Sequence, residues 1–392
     1  MRTVGTVVRG IRAPIIKKGD DLVEIAAQAL LNSAKAEGFT LKDRDVVGVT
    51  EAVVARAEGN YATIDQIAAD VSAKFPDGEV GLILPILSRN RFSMVLKGIT
   101  RGVSKIVIQL SYPSDEVGNP LISLDRLDNT TIDPHKDVLT EQEFRKLFGK
   151  VTHPFTGVDY IDYYSQIAEG KAQIILANDP CAILNYTKNI INADIHTRAR
   201  TKELLKRAGA NIVYSLDEIL KEPVNGSGYH PVYGVLGSNL ATDDSIKLFP
   251  RTGDIFVEQL STRLNKLTGK NIEVMIYGDG AFKDPVGGIW ELADPVVSPS
   301  YTKGLEGLPN ELKLKYLADN MFCNLEGEAA AQAIRDSIKQ KDDCLINSMS
   351  SGGTTPRRLT DLLGSLCDLT SGSGDKGTPI VLVQGYFDNY AS

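Results

Sequence analysis

The stretch Tyr233–Pro285, YGVLGSNLATDDSIKLFPRTGDIFVEQLSTRLNKLTGKNIEVMIYGDGAFKDP, reads as a strand, a turn of small residues, a helix, a second strand and a Gly-Asp-Gly corner. The spacing predicts the helix over about Thr252 to Thr268. Thr252 is a candidate N-cap, Asp254 lies in the first turn and Gly269 supplies the stop. Phe256, Leu260, Leu264 and Leu267 share one face. The strand Asn271–Tyr277 alternates, with Ile272, Val274 and Ile276 on one side and Glu273, Met275 and Tyr277 on the other. Asp279 then leaves the strand's C-terminal end between two glycines. In α/β proteins that position often holds a metal or phosphate, and it reads equally as a plain turn carboxylate.

Around this stretch lies an ordinary globular composition. The 392 residues are 42% hydrophobic and 24% charged, enough for a large core and for two or three domains. A net charge of −7 and a pI near 5.3 argue against a general nucleic-acid binder. No apolar run approaches the roughly 18 residues of a membrane span. The opening MRTVGTVVRG lacks the apolar core of a secretory signal. Cys181, Cys323, Cys344 and Cys367 form no CxxC pair and the four histidines are scattered, so no structural zinc is expected. A cytoplasmic location, without membrane or nucleic-acid partners, is the expectation.

In chain order, a first unit is expected over residues 1–88. Thr3–Val8 is a candidate strand, and Asp20 or Asp21 caps a helix with Leu22, Ile25, Ala26, Ala29 and Leu30 on one side, stopped by Gly38. The buried strand Asp45–Thr50 runs directly into Glu51–Gly59, where Glu51 and Arg56 bracket a small-residue helix. Such a junction suits a phosphate, because helix N-termini carry free N–H groups; Arg56 also reads as a solvated surface charge. A second α/β unit is expected over 89–229, with strands at Lys105–Leu110, Gln173–Asn178 and Asn211–Leu216. Thr140 and Glu143 form a capping-box pattern there, and a helix covers Thr201–Ala208. Tyr160, Tyr163 and Tyr164 read as packing, and His135, His153, His196 and His230 as structural or exposed. A third unit, 230–392, adds helices at Pro309–Asn320, Glu326–Lys341 and about Pro356–Leu369, a flexible loop Ser348–Thr355, and a closing strand Pro379–Gln384.

Gly372, Gly374 and Gly377 match GxGxxG literally. The dinucleotide fingerprint follows a strand and opens a helix, whereas here the helix precedes and the strand follows, so hydride-transfer chemistry is a poor reading. A Gly-rich loop still wraps backbone N–H groups around phosphate. No phosphate-loop GxxxxGK[ST], GxSxG, HExxH or kinase signature is present.

Three blocks carry a resemblance. VVRGIRAPIIKKGDDL with DVVGVTEAVVARAEG resembles the start of the coenzyme F420-0:gamma-glutamyl ligase family. GVLGSN, LFPRTGD and YGDGAFKDP are similar to its middle block, and TDLLGSLCDLTSGSGDKGTPI to its tail. The blocks cover roughly half of the chain in the right order. The resemblance implies a mixed α/β ligase core built from both ends of the chain, with 89–229 inserted. It implies a gamma-amide bond formed between a carboxylate-bearing cofactor precursor and L-glutamate. GTP and a divalent metal (Mn²⁺ or Mg²⁺) would serve an acyl phosphate route in a homodimer. Such chemistry needs phosphate-binding backbone, cations and oxygen ligands.

Carried onto this chain, the resemblance implies that Gly10, Ile11 and Arg12 form a nucleotide-contacting turn. Glu51, Arg56 and Asn239 join it, with Gly372, Gly374 and Gly377 in the C-terminal nucleotide loop. Asp279 matches a metal carboxylate, and Asp279 with Arg56 would carry catalysis. Three expected ligand positions depart from the pattern, being Leu236, Gly280 and Ser373. Asp243 and Asp244 are the candidate substitutes for the missing metal ligand, and as a pair also read as an exposed turn. A non-catalytic nucleotide- or metabolite-binding protein with the same fold is the alternative.

Overall fold

The computed structural model describes residues 3–88, 92–153, 157–278, 281–283, 290–292, 298–352, 357–371 and 375–392. From the N-terminus, β1 (Val7–Ile11) precedes α1 (Leu22–Glu37), which Asp21 caps by accepting the Glu24 N–H at 3.0 Å. Gly38 ends α1 at φ +69°, a left-handed position that costs little without a Cβ. Then β2 (Val46–Thr50) runs straight into α2 (Glu51–Glu58). Next come β3 (Tyr61–Thr63), α3 (Ile64–Lys74), β4 (Glu79–Ile83), α4 (Phe92–Arg101) and β5 (Lys105–Leu110). They are followed by α5 (Leu124–Asp128), β6 (Leu139–Thr140), α6 (Glu141–Phe148) and α7 (Tyr160–Ile167). The expected capping box of Thr140 and Glu143 opens α6. After these stand β7 (Ala172–Leu176), β8 (Asn189–Asn192), α8 (Arg198–Arg207) and β9 (Ile212–Ser215).

The rest of the chain begins with β10 (Asn239–Thr242), β11 (Ser245–Lys247), α9 (Gly253–Thr268) and β12 (Glu273–Tyr277). It continues through β13 (Ala281–Lys283), β14 (Trp290–Leu292) and β15 (Ser300–Tyr301). It ends with α10 (Leu314–Tyr316), α11 (Gly327–Lys339), α12 (Leu359–Thr370) and β16 (Ile380–Gln384).

Two compact units result. One comprises Met1–Val54, Thr252–Gly280 and Val297–Ser392; the other, Ala55–Arg251 and Ala281–Val296. The first unit holds a five-stranded sheet ordered β1-β16-β2-β12-β15, in which only β2 and β12 are parallel neighbours. Met275 and Tyr277 pack with Leu363 and Cys367 of α12. At Gly48 a Cβ would stand 2.6 Å from Cys367 Sγ, so α12 lies flat on β2 only because that residue is glycine. Gly253 of α9 lies against Ile276. With helices on both faces and strands on both sides, every residue of β12 is buried. Glu273 tolerates burial because the Thr302 hydroxyl donates to its carboxylate.

The second unit is organised by a six-stranded sheet, β6-β7-β5-β4-β8-β9, parallel except for β6. The chain starts in the middle at β4, steps outward through β5 and β7, then returns to the other side of β4 for β8 and β9. That is a doubly wound topology with its reversal between β4 and β8. One face buries Leu82, Ile106 and Ile108 with the helical Ile67, Leu96 and Tyr164; the other buries Ile83, Val107 and Ile190 with Leu205 of α8. Strand β4, which the sequence reading kept with residues 1–88, is central to this sheet. A short apolar run carries no mark of the sheet it joins.

Two local expectations are corrected. Residues 233–238 are turns rather than a strand, and the hairpin β10–β11 follows them to pair with β3. The helix expected over Pro309–Asn320 is reduced to α10 and the wider π-type turn Leu317–Met321. Asn310 is taken up elsewhere, donating to the Asp342 carbonyl and accepting the Leu345 N–H. The tyrosine cluster is packing, with Tyr164 fully buried and its hydroxyl accepting the Ser88 N–H at 3.0 Å. No described helix is long and apolar enough to cross a membrane.

Candidate functional site

The candidate site grows from strand register in the first unit. Thr50 ends β2 opposite Tyr277, which ends β12, and Ile380 begins β16 opposite both Val49 of β2 and Ile11 of β1. The chain therefore leaves β1, β2 and β12, and enters β16, along one edge of the sheet. Backbone bonds hold that edge together. The Ala13 N–H donates to the Gly377 carbonyl at 3.2 Å, and the Thr50 N–H to the Pro379 carbonyl at 3.0 Å. Gly10 faces Thr378 closely enough that a Cβ would require Thr378 to give by a few tenths of an ångström.

This edge brings together Gly10, Ile11, Arg12, Glu51 and Gly377, which lie far apart in the chain. Ile11 is buried in the core, so only its backbone faces outward contacts. Arg12 is exposed and forms no ion pair among the described residues, which suits an anionic group. It lines a groove of about 570 Å³ together with Gln28, Asn32 and Ser33 of α1. Glu51 is only 4% exposed at the first position of α2, where a carboxylate is favoured by the helix dipole. Gly377 takes φ +65°, a left-handed position that suits glycine.

Arg56 is exposed on α2, and five helical positions turn it about 140° from Glu51, so the two do not share a face. Asn239, Asp243 and Asp244 belong to the second unit. Asn239 opens β10 opposite Lys247, and Thr242 pairs with Ser245, leaving Asp243 and Asp244 as the exposed hairpin turn. The Asp244 carbonyl accepts the Ile64 N–H at 2.9 Å. Leu236 is 2% exposed within the apolar core of that unit. Asp279, Gly372 and Gly374, with Gly280 and Ser373, lie outside the described residues.

Among the described residues no group of three or more His, Cys, Asp or Glu could hold a metal ion. The described side chains thus do not supply a divalent-metal site, and Arg12 is an exposed cation at the sheet edge. Sequence reasoning missed the doubly wound sheet and the loops at its carboxyl end, because their signal is an order of strands that only pairing defines.

The fold is a mixed α/β one in which the first and last strands of the chain pair in one sheet. The family model for F420-0:Gamma-glutamyl ligase matches residues 10–385, and the chain belongs to that family. The match spans both units. A comparison with curated proteins finds no match. Membership suggests gamma-glutamyl ligase activity on small-molecule substrates.

Proposed function

We propose that this protein is a GTP-dependent ligase forming a gamma-glutamyl amide between a carboxylate substrate and L-glutamate. The carboxylate is of the coenzyme F420-0 kind or belongs to another cofactor precursor. A carboxylate oxygen attacks the γ-phosphorus and GDP leaves; the glutamate amine then attacks the acyl carbon, losing a proton as phosphate departs. The observation that carries this reading is the convergence of Gly10–Arg12, Glu51 and Gly377 on one sheet edge, within a family match that covers most of the chain. Arg12 and the 375–379 backbone would bind phosphate oxygens, and Arg56 would contribute charge. Asp279 is the carboxylate proposed for a Mg²⁺ or Mn²⁺ ion, which when bound would offset phosphate charge. The active form is proposed to be a homodimer. The test is phosphate release from GTP with L-glutamate, Mg²⁺ or Mn²⁺ and a panel of candidate acids. Release that no acid stimulates, and that Asp279→Ala does not alter, would overturn the proposal.

One observation favours a second reading. The family's metal-aspartate position is Leu236, sealed in the core. A non-catalytic nucleotide- or metabolite-binding protein with the ligase fold would need no ligand there. It would be stabilised against heat by GTP without consuming it, and metal-dependent turnover would eliminate it.

A further inference from the structure

In the second unit, loops leave the carboxyl ends of the neighbouring strands β5, β4 and β8, and one dipeptide ties them together. Asp115 and Glu116 stand in the loop after β5, in a tight turn whose Asp115 N–H donates to the Asn119 carbonyl at 3.0 Å. Asp115 is buried, and its carboxylate accepts the Leu87 N–H of the loop after β4 at 2.8 Å. Glu116 serves the loop after β8, accepting the N–H groups of Ile195 at 2.8 Å and His196 at 3.2 Å. Because β4 lies between β5 and β8, these contacts span the end of β4. That end borders the reversal point, where open parallel sheets take ligands. Leu84, which leaves β4 there, takes φ +54°, a left-handed conformation that strains a residue with a Cβ.

The two halves of this strap are held differently. Asp115 is fixed from several sides, since the Val117 and Asn119 N–H groups and the Asn119 side-chain amide also donate to it. Glu116 instead meets a second carboxyl group, Asp194, within hydrogen-bond reach. Two carboxyl groups hydrogen-bond only when one of them carries a proton. Asp194 is the ionised partner: burial opposes its charge, but the Thr197 N–H and the hydroxyls of Thr197 and Thr201 donate to it and hold it low. The proton therefore sits on Glu116. Burial pushes that carboxyl up to about 7, against the Ile195 N–H and with the charge of Asp194. The other charges beside this loop are Arg198, which donates to the Ile195 carbonyl at 2.7 Å and lies 3.4 Å from Asp217, and the exposed His196 and Arg200. Burial raises the Asp115 carboxyl as well, so it titrates in the same sense as Glu116.

We propose that Asp115–Glu116 is a pH-sensitive strap over the carboxyl ends of β4 and β8. It is closed while Glu116 and Asp194 share one proton. When that proton passes to solvent the two carboxylates repel, Glu116 leaves the 194–196 loop, and Asp115 stays as the hinge. A carboxyl that holds its proton more tightly in the closed form favours closure at acid pH and loses that advantage as pH climbs through about 7. Opening uncovers the end of β4.

The experiment is hydrogen exchange of the full-length protein from pH 5 to pH 8, corrected for intrinsic rates and read at the Ile195 and His196 amides. Expected is protection there that falls roughly tenfold or more across this range. It stays below that of Ile106–Ile108 in β5, which marks local opening rather than unfolding. Glu116→Gln keeps a donor for Asp194 and an acceptor for the loop without titrating, so its protection stays level from pH 5 to pH 8. Glu116→Ala keeps neither and is unprotected at both ends of the range. Protection at Ile106–Ile108 in each variant reports that it is folded. The proposal is overturned if the parent is equally protected at pH 5 and pH 8, or if Ile195 and His196 match β5 throughout. A slope that survives in Glu116→Gln would assign the titration to Asp115 and overturn it, as would protection that survives in Glu116→Ala.

Discussion

Gly10 and Thr378 are pressed together, such that a Cβ on Gly10 would lie 3.1 Å from the Thr378 Cβ and 3.2 Å from its Oγ1. One comes from the outgoing end of β1 and the other from the tail loop entering β16, so their spacing sets how closely the two chain ends approach. Gly10→Ala is expected to push the tail loop outward and cost about 1 kcal/mol, at the low end for overpacking. In the ligase reading the same displacement raises the apparent Kd for GTP several-fold. Thermal shift with and without GTP measures both, and an unchanged GTP shift would detach this edge from nucleotide binding.

Arg56 is exposed on α2, so removing it has little to disturb in the fold. Arg56→Ala should move the melting temperature by no more than a degree or so. If the guanidinium meets phosphate, the loss of a charge-assisted hydrogen bond is worth roughly 1.5–3 kcal/mol, or a tenfold or larger rise in KM for GTP. Arg56→Lys should recover part of it, because the charge returns without the planar fork. Steady-state kinetics of both variants decides the matter, and KM values equal to that of the parent would leave Arg56 as surface charge.

Asp244 and Asp279 are predicted to behave oppositely. Asp244 is an exposed hairpin-turn residue, so Asp244→Ala should leave metal-dependent phosphate release within about twofold and stability within about 0.5 kcal/mol. Asp279→Ala should abolish the metal dependence. Titration of Mn²⁺ against turnover for each variant reads out the difference, and a large loss in Asp244→Ala would return the hairpin to the metal site.

Restoring the family's aspartate should fail. Leu236 packs in the core with Val235, Ile246 and Leu248 as neighbours in the same cluster. Leu236→Ala is expected to cost about 2–5 kcal/mol, and Leu236→Asp more, since the carboxylate is buried with no cation at hand. Urea unfolding of the two variants tests the order. A stable Leu236→Asp protein with tightened Mn²⁺ binding would show that the position still opens to the site.

Stability should fall as pH rises from about 5 to 8, and Glu116 is the cause. The residue is exposed, but its carboxylate is tucked against the 194–196 loop, accepting the N–H groups of Ile195 at 2.8 Å and His196 at 3.2 Å. Burial pushes its pKa from 4.5 up to about 7; the Ile195 N–H opposes this and the charge of Asp194 adds to it. A carboxyl group that holds its proton more tightly when folded makes the folded state less favourable as pH climbs through that window. Asp194 acts in the opposite sense. Burial would raise it, but hydrogen bonds from Thr197 and Thr201 outweigh burial and hold it low, so its contribution is lost at acidic pH. Glu116→Gln should flatten the melting temperature between pH 5 and 8 and raise it at pH 8. Calorimetry across that range checks this, and a slope the same as the parent's would acquit Glu116.

Much of the first unit is written locally. Asp21 as cap of α1, Gly38 and Gly269 as helix stops, and the strand closing the chain all follow from neighbouring residues, and each forms as expected. The opposite happens at 233–285. Its helix α9 and strand β12 join the first unit, while the preceding hairpin with Asn239, Asp243 and Asp244 pairs with β3 in the second. The stretch is contiguous in sequence but is shared between the two units, with the division at Thr252.

The sequence by itself determined the α/β class, most helix ends and the family, because capping, periodicity and short motifs are properties of contiguous residues. Tertiary structure alone decided which strands share a sheet, that Gly10, Glu51 and Gly377 meet at one edge, and that β4 starts a doubly wound sheet. Those outcomes depend on hydrogen-bond register and on which apolar faces cover one another. Both are pairings between distant segments, and a short buried strand bears the same apolar residues whichever neighbour it takes.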